Sequence, residues 1–343
     1  MRLFVTGGAG FIESNFIKWV LREHDDVRVT DYDKLTYAGN LASLRDLSDS
    51  DRYEFVRGDL NDASTLDDVL PGHDAVVNFA AESHVDRSIL GAAEFITTNV
   101  QGANTIFDAA RRADIGNFLH ISTDETYGSI DEGSFREGDA LEPNSPYSAS
   151  KAAADLLARA YRVTHGYPIT VTRSSNNFGP FQYPEKVIPL FVTNLMAGEK
   201  VPLYGTGENV RDWMFVDDNV RAIWAVLTEG EPGGLYNIGA GNEISNVELT
   251  HRILAHFDLG EEMIEHVTDR PGHDLRYSID TSKLRELGWK PQRSFDDALD
   301  VTITWYRDNR WWWEPLKSRD AFDRGVDDVI EAPGRLEYEE DGA

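Results

Sequence analysis

Residues 3–6 (Leu-Phe-Val-Thr) form a short apolar run, and after Gly7, Gly8, Ala9 and Gly10 the period of the apolar positions changes. Phe11, Ile12, Phe16, Ile17, Val20 and Leu21 recur at helical spacing, so the pattern predicts a strand, a glycine turn and a helix. The rhythm repeats, with strands expected at 27–30, 53–56, 75–79 and 118–121 and helices at 63–70, 93–112 and 146 to about 165. Strands and helices in strict alternation fold as an α/β, Rossmann-like doubly wound parallel sheet. Beyond residue 175 the rhythm loosens. Pro180, Pro184, Pro189, Pro202 and Gly205-Thr206-Gly207 punctuate shorter elements, with helices expected near 187–197, 246–257 and 295–308. The pattern gives an α/β domain at 1–175, a smaller lobe at 176–317 and an acidic tail at 318–343.

Gly7, Gly8 and Gly10 lie between strand and helix, where bare backbone lets amides approach a pyrophosphate at a helix N-terminus. Asp31, at the expected end of the second strand, is placed to accept hydrogen bonds from an adenosine ribose and to repel a 2′-phosphate, which favours NAD over NADP. Asp59, after the third strand, could meet the adenine or cap a loop. Tyr147 and Lys151 are one turn apart on a helix face, so the ammonium can draw the phenol, ordinarily near ~10, toward phenolate and fit it to take a hydroxyl proton. Asp124 and Glu125 follow the strand at 118–121, at the mouth of the sheet where open α/β proteins bind ligands. Adjacent carboxyls commonly cap helices or solvate loops, and within a strand they would face opposite sides. They can serve one substrate only if the strand has ended, as the Thr126-Tyr127-Gly128 turn suggests, one then acting as acid and the other as base.

Composition narrows the partners. A net charge of −27 argues against nucleic acid or an anionic membrane, which demand basic patches. The absence of cysteine excludes disulfides and thiolate chemistry, and no paired histidine spacing such as HExxH implies a metal. No apolar run is long enough to span a membrane and no signal-peptide pattern opens the chain, so a cytoplasmic protein is expected. Sixty acidic residues against 33 basic ones, eight of them lysine, predict a halophilic protein whose self-repulsion is screened by a salt-rich cytoplasm.

With the glycine turn, Asp31, Thr123-Asp124-Glu125 and Tyr147-x-x-x-Lys151 in one chain, the sequence resembles the extended short-chain dehydrogenase/reductase family. Residues 82–87 (ESHVDR), 175–190 (SNNFGPFQYPEKVIPL), 201–213 (VPLYGTGENVRDW), 270–277 (RPGHDLRY) and 311–316 (WWWEPL) narrow the likeness to the dTDP-glucose 4,6-dehydratases, from residue 1 to about 316. The resemblance implies that NAD is held by Gly7, Gly10, Phe11, Ile12, Asp31, Asp59, Leu60, Ala80, Ala81, Tyr147 and Lys151. It implies that Tyr147 deprotonates the sugar C4 hydroxyl, Thr123 hydrogen-bonds the C4 oxygen, Glu125 removes the C5 proton and Asp124 protonates the departing C6 hydroxyl. For the nucleotide diphosphate sugar it points to Asn177, Lys186, Pro202, Tyr204, Arg211, Asn246, Arg270 and His273, with Ser83 and Asp86 beside the sugar. A homodimer is implied, through the helices near 93–112 and 146–165. A 4-epimerase or decarboxylase of the same fold would share the turn and the Tyr-Lys pair without needing Asp124 and Glu125 as an eliminating pair. A non-catalytic NAD-binding regulator is the other alternative, and the choice of thymine or uracil stays open.

The sequence departs from that pattern in three places. Thr126 and Phe178 replace a usual valine and tyrosine, which is mild. Glu13 replaces the third glycine of GxxGxxG. Its carboxylate is expected to weaken NAD binding through bulk and repulsion, unless the side chain swings to solvent.

Overall fold

The computed structural model describes residues 1–270 and 272–317; the acidic tail expected at 318–343 lies outside them. The first half runs β1 (Arg2–Thr6), α1 (Phe11–Glu23), β2 (Arg28–Asp33), β3 (Tyr53–Arg57), α2 (Ala63–Val69), β4 (Ala75–Asn78), α3 (Val85–Leu90) and α4 (Ala93–Phe95). A π-helical stretch, Ile96–Gly102, then leads into α5 (Ala103–Arg112), β5 (Asn117–Thr123), α6 (Pro146–His165) and β6 (Ile169–Ser174). The second half holds β7 (Asn176–Phe178), α7 (Val187–Met196), β8 (Val201–Tyr204), β9 (Val210–Phe215), α8 (Val216–Glu229), β10 (Leu235–Ile238), β11 (Glu243–Ser245), α9 (Asn246–Ala255), β12 (Ile264–Val267), α10 (Ser282–Glu286), α11 (Phe295–Asp308) and α12 (Arg310–Lys317).

Seven strands pair in the order β3-β2-β1-β4-β5-β6-β10, each neighbour parallel. The order reverses between β1 and β4, so the crevice of a doubly wound fold opens at the carboxyl ends of those two strands. Helices cover both faces, which is why β1, β4 and β5 read as nearly continuous buried runs. On one face α1 and α8 bury Phe16, Ile17, Val20, Val220 and Ile223 against the sheet; on the other α5 and α6 bury Ile106, Phe107, Ala154 and Ala158. The second half is therefore not confined to one place, since α8 returns to α1 and β10 extends the large sheet. Helix α10 also joins the first core through Leu284, while α7, α9, α11 and α12 pack a separate core beside a three-stranded sheet, β11-β9-β7, and a two-stranded one, β12-β8.

Two local devices fix what the site depends on. Ser145 caps α6 by accepting from the Ser148 amide at 3.0 Å while Ser148 Oγ accepts from the Ser145 amide at 3.1 Å, and Pro146 presets the first turn. Gly166 ends the helix in the left-handed region at φ 66°, so Tyr147 and Lys151 sit in its first turns. At the other end of the chain, α12 folds back over the first lobe. Trp312 Nε1 donates to Ser43 Oγ at 3.1 Å, Trp313 Nε1 donates to the Tyr306 carbonyl at 2.7 Å, and Tyr306 Oη donates to the Gln182 carbonyl.

Candidate active site

A cavity of about 250 Å³ opens at the switch point between β1 and β4. Every residue assigned to the cofactor from the sequence lines it except Asp31. Asp31 is fully buried beneath the glycine turn, accepting from the Gly8 amide at 3.0 Å and from Tyr53 Oη at 2.8 Å. It lies so close that a Cβ added to Gly8 would meet its Oδ1 at 2.1 Å. The assignment fails because β2 runs on to residue 33, two positions past its expected last acid. Strand period places Asp33 on the same side as Asp31 but at the mouth, and Asp33 lines the cavity, with its carboxylate also accepting from the Ala9 and Leu35 amides. Asp59 both lines the cavity and caps its own loop, accepting from the Asn61 amide at 2.9 Å and pairing with Lys34 at 2.8 Å.

The strand carrying the acidic pair ends where the chemistry needs it to end. β5 stops at Thr123, and residues Asp124–Tyr127 form one 3-10 turn whose N-terminus Thr123 caps through the Glu125 amide at 3.3 Å. Gly128, at φ 85°, closes the turn against the Glu142 carbonyl, which an added Cβ would meet at 2.4 Å. Both carboxyls thus escape strand alternation and lie near enough to Tyr147 for their charges to act on its phenol. Burial pushes Asp124 well above the usual carboxylate range, helped by the charges of Glu125 and Asp212, with Arg211 opposing. Burial also raises Glu125, but Arg270, Arg211 and Lys186 all oppose that rise. Both carboxyls are therefore held above their ordinary range, Asp124 the further, so Asp124 is the better placed of the two to carry the proton.

The Tyr-Lys pair differs from expectation. Burial and the nearby Glu125 charge raise the Tyr147 phenol above its ordinary value, opposed by the Thr123 hydrogen bond. Lys151 donates to the Ile121 carbonyl at 2.7 Å, and burial lowers it to about 8 against the pull of Asp155 and Glu13. In this state the ammonium serves the strand end and the cavity more than the phenol. Asn99, in the π-helical stretch, was missed in the sequence. It donates to Ser150 Oγ at 2.8 Å and to the Glu82 carbonyl at 2.9 Å, tying the loop after β4 to the base of Tyr147. A lone asparagine in an amphipathic helix carries no sequence signal for that role.

The residues assigned to the nucleotide gather on the second-lobe side, several of them around the acidic pair. Arg211 is buried, held by the Val210 and Asp274 carbonyls and stacked 4.1 Å from the Tyr277 ring centroid. Arg270 pairs with Asp86 at 3.3 Å, and Tyr204 Oη donates to the same carboxylate at 3.4 Å. Lys186 donates to the Ser83 carbonyl at 3.1 Å, and His273 pairs with Asp269 at 2.6 Å. Asn177 lies on β7, Pro202 on β8 and Asn246 at the first position of α9. In a chain with a net charge of −27, this concentration of cations beside Glu125 suits a diphosphate.

The GDP-mannose 4,6 dehydratase family matches residues 4–302. The dTDP-glucose 4,6-dehydratase of Streptomyces niveus is 54% identical over 325 residues, 93% of this chain and 97% of that protein. DesIV, a dTDP-glucose 4,6-dehydratase from Streptomyces venezuelae crystallised with NAD, superposes with a TM-score of 0.90 at 54% identity, covering 92% of this chain and all of that one. The chain belongs to the dTDP-glucose 4,6-dehydratase family. Another relative, the low-salt glycan biosynthesis protein Agl12 of Haloferax volcanii, is 53% identical over 89% of this chain and 98% of its own length. Within a 4,6-dehydratase scaffold the unusual residue remains Glu13, which lines the cavity instead of swinging to solvent.

Proposed function

We propose that the chain dehydrates dTDP-glucose to the 4-keto-6-deoxy sugar with NAD as a regenerated cofactor. The observation that carries this reading is the 3-10 turn that sets Asp124 and Glu125, both raised by burial but with more cations opposing the rise of Glu125, beside Tyr147. A dinucleotide fits the cavity's chemistry: the glycine turn and the N-terminus of α1 line it, and Asp33, Asp59 and Lys151 offer groups for ribose and base. When bound, NAD would supply a reversible hydride acceptor for the sugar and a nicotinamide charge that favours the Tyr147 phenolate. Tyr147 accepts the C4 hydroxyl proton while Thr123 holds the oxygen. The resulting ketone acidifies C5, whose proton Glu125 removes, and Asp124 protonates the C6 hydroxyl as it leaves as water. A 4-epimerase needs no eliminating pair, which disfavours that rival.

The test is dTDP-glucose carrying deuterium at C4, followed by mass detection at low and molar KCl. The label should appear at C6 of the same molecule without net loss of NAD, and turnover should rise with salt. Label in bulk NADH or in water would sink the internal return. The salt response is expected from the acidic excess. Leu90 on α3, Ile96 in the π-helical stretch and Leu156 and Val163 on α6 are exposed apolar residues, and they support a homodimer that sedimentation of the same sample would reveal.

We assign the adenosine ribose to Asp33. Asp33→Asn should relax discrimination against NADP by about tenfold, since one charge at close range is worth on the order of 1–2 kcal/mol in this setting. Asp31→Asn should instead lower the melting temperature with discrimination kept. Reversed outcomes in paired NAD and NADP titrations would return the role to Asp31.

A further inference from the structure

Glu13 is in the first turn of α1, and its side chain folds back over the glycine turn. A Cβ added to Gly10 would meet Glu13 Oε2 at 2.5 Å and Cδ at 3.1 Å, so the carboxyl covers a face of the backbone that the fingerprint leaves bare for a diphosphate. Asp33 and Asp31 of β2 and Lys151 of α6 act on it, together with the amides of Ile12 and Glu13. Lys34, Asp59, Glu82, Tyr147, Glu185 and Lys186 are the other charged or titratable groups with a bearing on the same cavity, alongside Tyr32 and Tyr183. We propose that Glu13 belongs to the dinucleotide site and that NAD binds the chain in which this carboxyl carries a proton, taking one up wherever the free chain holds it ionised. The proposal rests on the NAD reading above.

The physical reason is the change of hydrogen-bonding character. An ionised carboxyl is an acceptor only and repels a diphosphate, whereas the protonated acid donates one hydrogen bond and carries no charge. Burial, with Asp33 adding to it, pushes Glu13 up to about 8, against the amides and Lys151. The acid is thus neutral below that value and becomes an anion above it, so cofactor affinity falls as pH rises through about 8. The step balances simply: carboxylate plus a solvent proton gives the acid that meets the diphosphate. Lys151 titrates in the same window and loses a favourable charge there, so its effect has the same sign.

Calorimetric titration of NAD from pH 6.5 to 9.5, at fixed salt and in two buffers of different ionisation enthalpy, separates the two groups. The wild type should take up almost no proton at the acid end and approach one more than Glu13→Gln at the alkaline end. Between pH 7 and 9 its affinity should drop about tenfold more than that of the variant, a full pKa unit being a factor of ~10. Glu13→Gln should bind NAD at pH 7 as the wild type does, since the amide keeps a donor, and Glu13→Gly should also lack the extra pH dependence. Equal proton uptake and parallel profiles in wild type and Glu13→Gln overturn the proposal and assign the pH dependence to Lys151. No NAD binding by any of the three at any pH would instead overturn the NAD reading itself.

Discussion

Tyr147→Phe should leave a folded chain that binds NAD and dTDP-glucose but oxidises C4 about 10²–10⁴ times more slowly, the range by which a positioned general base contributes. The loss should be confined to the first chemical step. Rapid mixing with substrate should show the burst of reduced nicotinamide absorbance nearly abolished, while substrate affinity changes little. Burial raises the phenol, so the wild-type rate of that step should climb with pH as the phenolate fraction grows, and the variant should show no such climb. Reduced nicotinamide forming in Tyr147→Phe as fast as in the wild type would mean that another group takes the C4 proton.

The second large effect is a separation of the two carboxyls. Asp124→Asn removes the proton given to the departing C6 hydroxyl but leaves C4 oxidation intact, so reduced nicotinamide should accumulate on the enzyme and steady turnover fall by about 10²–10⁴. Glu125→Gln should fall comparably but for a different reason, and it should also suppress exchange of the C5 proton with solvent. The assignment follows from their surroundings: Asp124 has one cation, Arg211, and the Thr123 hydrogen bond opposing its rise, whereas Glu125 has three cations, Arg270, Arg211 and Lys186. Solvent exchange at C5 persisting in Glu125→Gln and vanishing in Asp124→Asn would reverse the two roles.

Much of this site could be read from the chain because its cues are local. A glycine turn between strand and helix, a Tyr-x-x-x-Lys on a capped helix and a pair of acids at a strand end each depend on a few neighbouring residues. The Asp31 assignment shows where locality fails. Val-Thr-Asp-Tyr-Asp offers two acids two apart, and which one reaches the mouth depends on how far β2 stays paired with β3, up to Asp33 opposite Arg57. Pairing between residues 24 positions apart leaves no mark in the local pattern. The shift of Tyr147 is another such case, since helical spacing shows Lys151 nearby but not that its Nζ turns to the Ile121 carbonyl. Asn99 and Glu13 are opposite cases: the first was invisible among helix residues, and the second was conspicuous but its direction depended on tertiary packing.

Trp312 closes one wall of the cavity and is tied to Ser43, 269 positions earlier in the chain. A chain made from its N-terminus forms the glycine turn and the parallel strands long before that wall exists. Synthesis therefore passes through a stage in which the nucleotide-binding strands are present but their pocket is open on the α12 side, and the cofactor can be enclosed on that side only once α12 is delivered. A chain released before α12 lacks the wall that Trp312 supplies.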